Sequence, residues 1–359
     1  MLTIYKQLFY YSLFFTVLIV SSSGNKISED NYVLNYIESN PHNCSVLIVR
    51  NDSILSSHNI DKITPLASTA KIIIAIEYAV QSSEDLIDPD QLVAINELEK
   101  FHIKNTDGNA HRKWLKDIMG ENLIDSISIR EIVKGMIKYS SNANTDWLLN
   151  RLGVKNVNNR ITKLGIRSHT PIFYLTSSLF VGKEKFPHLK GKELENGLKK
   201  INNKDYLKII NQINKKLLTD SLYKNEIGNL DINIQRIWSD RLPASTVSEY
   251  SALVNKINKK NYFSSKVHKY LDEVLEFIMK EPGMENWFMH YGFKGGSTLS
   301  LLTRAVYATD KKGNTSEIVY FINNISQNDY FKLIKYMDLF EFSIITDNQF
   351  RNKLPFRPL

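Results

Sequence analysis

Pro65-Leu66-Ala67-Ser68-Thr69-Ala70-Lys71-Ile72-Ile73-Ile74-Ala75-Ile76-Glu77-Tyr78-Ala79 is the stretch on which the reading of this chain turns. Thr64-Pro65 breaks the pattern before it, because proline fixes its own φ and keeps the preceding residue out of the helical region. From about Ser68 to Val80 the sequence predicts a long helix. Ser68 and Lys71 then lie one turn apart on one face of its start. The N–H groups of a first turn have no intrahelical partner and can donate to a developing oxyanion. A serine hydroxyl is a weak nucleophile, and a desolvated neutral lysine can serve as its base. Taken alone, Ser-x-x-Lys is better explained by an N-cap serine followed by a surface lysine.

The flanking sequence supplies the architecture. On the N-terminal side, helical spacing of Tyr32, Val33, Tyr36 and Ile37 predicts a helix over Glu29 to Glu38. Ser45 to Val49 is a β-branched apolar run, and Asn51-Asp52 turns it into Ile54 to His58, which predicts a hairpin. Beyond the central stretch the signals stay helical to about Lys280, with shared faces at Leu92, Ile95 and Leu98 and at Ile129, Ile132, Val133, Met136 and Ile137. Strand signals return at Leu299 to Ala308 and Ser316 to Ile322, joined by a turn at Asp310 to Asn314, and a last helix spans about Asn328 to Phe340. The implied fold is α+β: an antiparallel sheet built from both chain ends with flanking helices, plus an all-helical lobe. Residues 24–359 read as one domain, with a sheet lobe at about 28–66 and 283–345 and a helical lobe at about 67–282. A ligand cleft is expected between them. Gly182 to Lys216 holds ten Lys against four acidic residues and belongs to an insertion at about 183–235, read as an exposed helical segment.

Two further constellations carry chemistry. Ser140-Ser141-Asn142 falls between the helix ending near Tyr139 and the one around Trp147. A serine and an asparagine amide there can offer a proton shuttle and a hydrogen bond to an amide, although by itself the triplet is a plain helix connection. Lys294-Gly295-Gly296-Ser297 stands at the start of the Leu299 strand. Its glycines let backbone approach a ligand, the Ser297 N–H can be an oxyanion donor, and Lys294 adds charge against a carboxylate. A phosphate-binding loop is excluded, since that motif has Gly immediately before Lys.

In chain order, Ser-x-x-Lys, Ser-x-Asn and Lys-x-Gly resemble the signature set of class A β-lactamases and penicillin-binding proteins. The flanks Pro65–Ala79, Met136–Gly153 and Asp240–Ile257 are similar to that family as well, and the resemblance spans most of Tyr32 to about Ile325. It implies a β-lactamase-like fold and an active-site-serine hydrolase. Carried over, Ser68 would be the acylated nucleophile, Lys71 its base or relay, and Ser140 the proton shuttle to the leaving nitrogen. Asn142 would hold the substrate's side-chain amide and Lys294 its carboxylate. Gly296 would shape the site, with the Ser68 and Ser297 N–H groups as oxyanion hole. Three departures stand out. Ser141 replaces the usual Asp, and Gly295 replaces a Thr or Ser hydroxyl, for which Ser297 or Thr298 would have to substitute. The Glu-x-x-Leu-Asn loop that activates the deacylating water is absent from Ile166 to Phe186, where Glu184 is the nearest carboxylate in sequence.

Composition narrows the alternatives. The chain has 359 residues, 43% hydrophobic and 23% charged, which suits a large core and excludes a fibrous or disordered chain. The formal charge of +8 is spread as Lys over helix faces, and no nucleic-acid partner is expected. The eight His show no metal-binding spacing and no dinucleotide fingerprint follows a strand, so neither metal nor cofactor is expected. Lys6, the apolar run Leu8 to Val20 and the small residues Ser21 to Gly24 read as a signal peptide over 1–23. The apolar run is shorter than the roughly 20 residues a membrane span needs. With Cys44 as the sole cysteine, an exported protein without disulfides, periplasmic or extracellular and monomeric, is expected. Three functions remain open: β-lactam hydrolysis, a DD-peptidase or esterase on the same fold, and a non-catalytic β-lactam sensor.

Overall fold

The computed structural model describes residues 31–120, 124–228 and 230–357. The signal segment expected at 1–23 lies outside them. Cys44–Arg50 (β1) and Ser53–His58 (β2) form the expected hairpin. Asn51 and Asp52 both take left-handed φ, 49° and 62°, the pair of angles that a two-residue turn between twisted strands demands. Phe288–Ser297 (β7), Leu302–Asp310 (β8) and Thr315–Ile322 (β9) complete an antiparallel sheet of order β2-β1-β9-β8-β7. The two chain ends meet at its centre, where Ser45 pairs with Phe321 and Leu47 with Val319. β1, β8 and β9 are buried along most of their length, which is why they read as continuous apolar runs. The helix Tyr32–Ser39 (α1) packs beside the terminal helix Gln327–Thr346, with the Tyr32 hydroxyl donating to Asp329 at 3.0 Å. The helix Val247–Asn258 packs on β8 and β9.

Two expectations need correction. The Lys-Gly-Gly-Ser stretch does not open the Leu299 strand; it closes a strand of its own, β7, at the sheet edge. Gly292, Gly295 and Gly296 dilute the β-propensity that would have announced it, and Gly292 is required because a Cβ there would sit 2.4 Å from the Tyr307 ring. Leu299 and Ser300 belong to the turn before β8. Leu92 also leaves its expected helical face: Leu92–Ala94 (β4) pairs with Ser126–Ser128 (β5), and Leu92 is exposed while Leu98 is buried.

The helical lobe surrounds Lys71–Ser83 (α2), whose Ile72, Ile73, Ile74 and Ile76 are all buried; the helix is buried all round and runs through the core, with its buried Glu77 paired to Arg160 at 2.7 Å. Asn142–Leu152 (α6), Val154–Lys163 and Ser265–Leu275 enclose it. Thr64–Pro65 (β3) pairs with Ala244–Ser245 (β6) where the chain passes between the lobes. In the insertion, Asn203–Thr219 buries Ile209, Ile210, Ile213 and Leu217 against the segment 175–185, while Lys204, Lys208 and Lys215 face solvent. The lysine run is thus the outer face of a packed helix.

Candidate active site

Ser68 sits in a tight turn, Ala67–Ala70, that leads into α2. Ala67 is held at φ 45°, a strained conformation for a residue with a side chain. A buried staple holds the turn: the Thr69 and Thr303 hydroxyls meet at 2.8 Å, and Thr303 donates to the Leu66 carbonyl at 2.8 Å. β7 is drawn against the same turn. At Gly296 a Cβ would lie 2.5 Å from the Leu66 carbonyl oxygen and 2.6 Å from the Ser68 nitrogen. Only glycine lets the strand backbone lie beside the Ser68 N–H, and Ser297 follows it, half-buried.

Two buried lysines converge on one hydroxyl. Lys71 Nζ donates to the Ser140 carbonyl at 2.7 Å, the Ser140 hydroxyl at 3.3 Å and Asn142 Oδ1 at 2.9 Å. Lys294 Nζ lies 3.1 Å from the same Ser140 hydroxyl and 2.7 Å from the Gly295 carbonyl. Ser140 can present its hydroxyl this way because it takes a left-handed φ of 69° where a π-helical turn, Gly135–Tyr139, meets α6. Burial lowers Lys71 to about 7, against the pull of Asp107 and Asp146. An appreciable neutral fraction therefore exists near neutral pH. Such an amine has two protons for the Ser140 carbonyl and Asn142 and a lone pair left for a hydroxyl. Lys294 is pushed well below the usual lysine range by burial, then by the charges of Lys71 and Arg304. Arg304 is itself neutralised by the buried Glu341, with Nε–Oε1 at 2.7 Å.

The sequence reading missed Asp146, which is fully buried and acts on the charge of Lys71. Its carboxylate accepts the backbone N–H groups of Leu175 at 2.7 Å, Thr176 at 2.8 Å and Ser177 at 3.4 Å. Burial raises its pKa to about 7, opposed by those N–H groups and by Lys71. The signal was present: Asp146 lies four residues after Asn142, on one face of α6, beside an apolar run. It anchors residues 175–177, within the stretch Ile166 to Phe186 that lacks the Glu-x-x-Leu-Asn motif. Glu184 is held within the insertion region, with Lys216 at 2.6 Å and the Tyr223 hydroxyl at 2.7 Å. Neither expected substitute for the hydroxyl that Gly295 lacks is uncommitted: Thr298 pairs with Ser239 at 2.7 Å, and Ser297 interacts with Tyr330.

With this geometry in view, the comparisons are decisive for family. The family described as "Beta-lactamase enzyme family" matches residues 30–275, more than half of the chain. This chain belongs to that family. No curated protein sequence matches it. Solved structures with the same fold include a class A β-lactamase from Bacteroides cellulosilyticus, at 16% identity and a TM-score of 0.52 over 89% of this chain and 99% of the other. The TLA-3 extended-spectrum β-lactamase shares 15% identity with a TM-score of 0.53 over 89% and 99%. A β-lactamase from Chitinophaga pinensis shares 14% at a TM-score of 0.52 over 88% and 98%. At such identities the likeness establishes the β-lactamase fold, and the family membership supports a serine hydrolase of the β-lactamase type.

Proposed function

We propose that this β-lactamase-family chain opens β-lactam amides through an acyl-enzyme at Ser68 and releases the acyl group slowly. Ser68 Oγ attacks the ring carbonyl and neutral Lys71 takes its proton. The Ser68 and Ser297 N–H groups receive the oxyanion. Ser140 passes a proton to the leaving nitrogen, Asn142 binds the side-chain amide and Lys294 the carboxylate. The observation that carries this reading is the Ser140 hydroxyl held between two buried lysines of depressed basicity. That geometry supports a relay over a surface lysine beside a cap. Slow release rests on the carboxylates: Asp146 is spent on three backbone N–H groups and Glu184 on Lys216 and Tyr223. A long-lived acyl-enzyme equally suits a DD-peptidase acting on D-alanyl peptides. Release of D-alanine from such a peptide, faster than penicillin turnover, would select that activity.

The test is intact-mass analysis over time after adding a penicillin. One adduct per chain is expected, decaying slowly in the wild type and absent in Ser68→Ala. Equal labelling of both proteins would refute the assignment of the nucleophile. The reading also places the protein outside the cytoplasm as a monomer, its mature chain starting between Ser22 and Asn25. N-terminal sequencing of envelope and cytosolic fractions checks this.

A further inference from the structure

Behind the Ser140–Asn142 loop lies a cluster that the acylation chemistry does not use. Glu99, at the end of Ile95–Glu99 (α3), faces two imidazoles: His102 Nδ1 is 3.2 Å from Oε2, and His111 Nε2, from Ala110–Met119 (α4), is 3.1 Å from Oε1. One ligand atom from each of the three residues can be chosen so that all lie within 4.8 Å of one another. Both histidines are buried and Glu99 is partly open to solvent.

Hydrogen-bond bookkeeping at His111 shows what the cluster lacks. Asn144 Nδ2 donates to the Ile132 carbonyl at 3.0 Å, which fixes Asn144 Oδ1 as the atom facing His111 Nδ1 at 3.1 Å. Ser141 Oγ, 2.9 Å from the same Nδ1, gives its own proton to Asn144 Oδ1 at 3.0 Å. His111 Nδ1 must therefore carry the hydrogen, and in the neutral ring Nε2 is a bare lone pair. That lone pair points at a carboxylate oxygen. Two acceptors held in contact require a proton or a metal ion between them; among the described residues no Lys or Arg side chain pairs with the Glu99 carboxylate, and Lys224 Nζ donates at 2.7 Å to the Glu99 backbone carbonyl instead. The contrast is the other acid–imidazole cluster, Asp272, Glu276 and His290, where Lys260 Nζ already sits 2.5 Å from Asp272 and 2.6 Å from Glu276.

We infer that Glu99, His102 and His111 form a binding site for a divalent zinc-class cation that braces the Ser140–Asn142 loop from behind. Two imidazoles and a carboxylate suit such an ion, and metal–ligand bonds of about 2.0–2.1 Å place adjacent tetrahedral ligands about 3.3 Å apart. The two imidazole–carboxylate separations, 3.2 Å to Oε2 and 3.1 Å to Oε1, are near that spacing, and the three ligand atoms lie within 4.8 Å of one another. A metal-bound imidazole ordinarily donates its second N–H to an oxygen that fixes its orientation. Here that oxygen is Asn144 Oδ1, with Ser141 Oγ beside it, and Ser141 is the middle residue of the Ser-x-Asn motif. The exposed side of Glu99 leaves a fourth position for water. The ion would thus tie α3, the turn carrying His102 and α4 to the start of α6, where Ser140 and Asn142 meet Lys71.

The experiment titrates purified full-length protein with Zn²⁺ by calorimetry and with Co²⁺ by visible absorption, for wild type, His102→Gln and Glu99→Gln. His102→Gln keeps a polar group of similar reach, and circular dichroism checks that it folds. About one equivalent should bind, with tetrahedral Co²⁺ bands, and either variant should bind at least about tenfold more weakly. Hydrogen exchange over residues 139–145 should slow when Zn²⁺ is added to wild type and stay unchanged in His102→Gln. No binding, or binding untouched by His102→Gln, overturns the site. Binding with no added protection over 139–145 overturns its bracing of the loop.

Discussion

Acylation should rise with pH through neutrality, because the group that takes the Ser68 proton must be neutral to do so. Lys71 is lowered to about 7 by burial. With a folded value of about 7, roughly one molecule in eleven has the neutral amine at pH 6, half at pH 7 and about ten in eleven at pH 8. The second-order rate of acylation by a fluorescent penicillin should therefore climb about tenfold between pH 6 and pH 8 and level off above. Rates are read from in-gel fluorescence of quenched time points, with circular dichroism confirming the fold at each pH. Asp146→Asn supplies the internal control. The negative carboxylate favours protonated Lys71, so its removal lowers the Lys71 pKa and moves the midpoint of the profile to more acid pH. A structural role for Asp146 alone would lower the plateau without moving the midpoint. A flat profile from pH 6 to 8.5, or a midpoint near 10, would show that Lys71 is not the base.

Other substitutions probe separate parts of the same reasoning. Lys71→Ala should slow acylation by about 10²–10⁴-fold, the usual worth of a positioned general base, and an unchanged rate would place the base elsewhere. Gly296→Ala puts a methyl group 2.5–2.6 Å from the Leu66 carbonyl and Ser68 nitrogen, both backbone atoms that cannot swing aside. The strand must move off the Ser68 turn, and a misplacement of about 1 Å can cost about 10²-fold in acylation with little change in secondary structure. Glu341→Ala leaves Arg304 buried with only the more exposed Asp338, at 2.8 Å, as counter-charge. Because Asp338 remains, a loss of about 3 kcal/mol is expected, the lower end for breaking a buried pair, measured as a shift in the urea midpoint. No shift would mean that Asp338 and solvent compensate fully.

How much of this could be read from sequence depended on whether a contact was local. The β1–β2 hairpin was legible because Asn51-Asp52 encodes its own turn, and α2 because its apolar run is continuous. Strand β7 was not, since the glycines that bring it against Ser68 and Tyr307 remove the pattern by which a strand is recognised. Ser68, Lys71, Ser140, Asn142, Lys294 and Gly296 could be named from motif order; hydrogen bonds join Lys71, Ser140, Asn142 and Lys294, and Gly296 lies against the Ser68 backbone nitrogen. Their electrostatics could not be. The depression of Lys71 and Lys294 comes from burial by segments far apart in sequence, and Asp146 and His111 act through partners 29 and 30 residues away. The proposed cation site was not legible because it uses Glu99 and His102 from one turn and His111 from the next helix, a spacing that matches no single-helix zinc motif.

The buried charges divide into one closed account and one open one. Arg304 is balanced by the buried Glu341, with the more exposed Asp338 beside it, without help from a ligand. Lys71 faces two acids, Asp107 and Asp146, so a proton can pass between Lys71 and Asp146 with little change in the total charge of the interior. Lys294 differs: its partners are the Ser140 hydroxyl and the Gly295 carbonyl, and both neighbouring charges that act on it are positive. Burial and those two charges lower its basicity, and a bound anion would raise it again. A substrate carboxylate would bring that anion and let Lys294 carry its proton, while the new neutral pair leaves Lys71 near the value it has in the free protein. On the proposed function, Lys294 would then hold the substrate while Lys71 stayed available as a base, so two lysines could share one serine hydroxyl without either disabling the other.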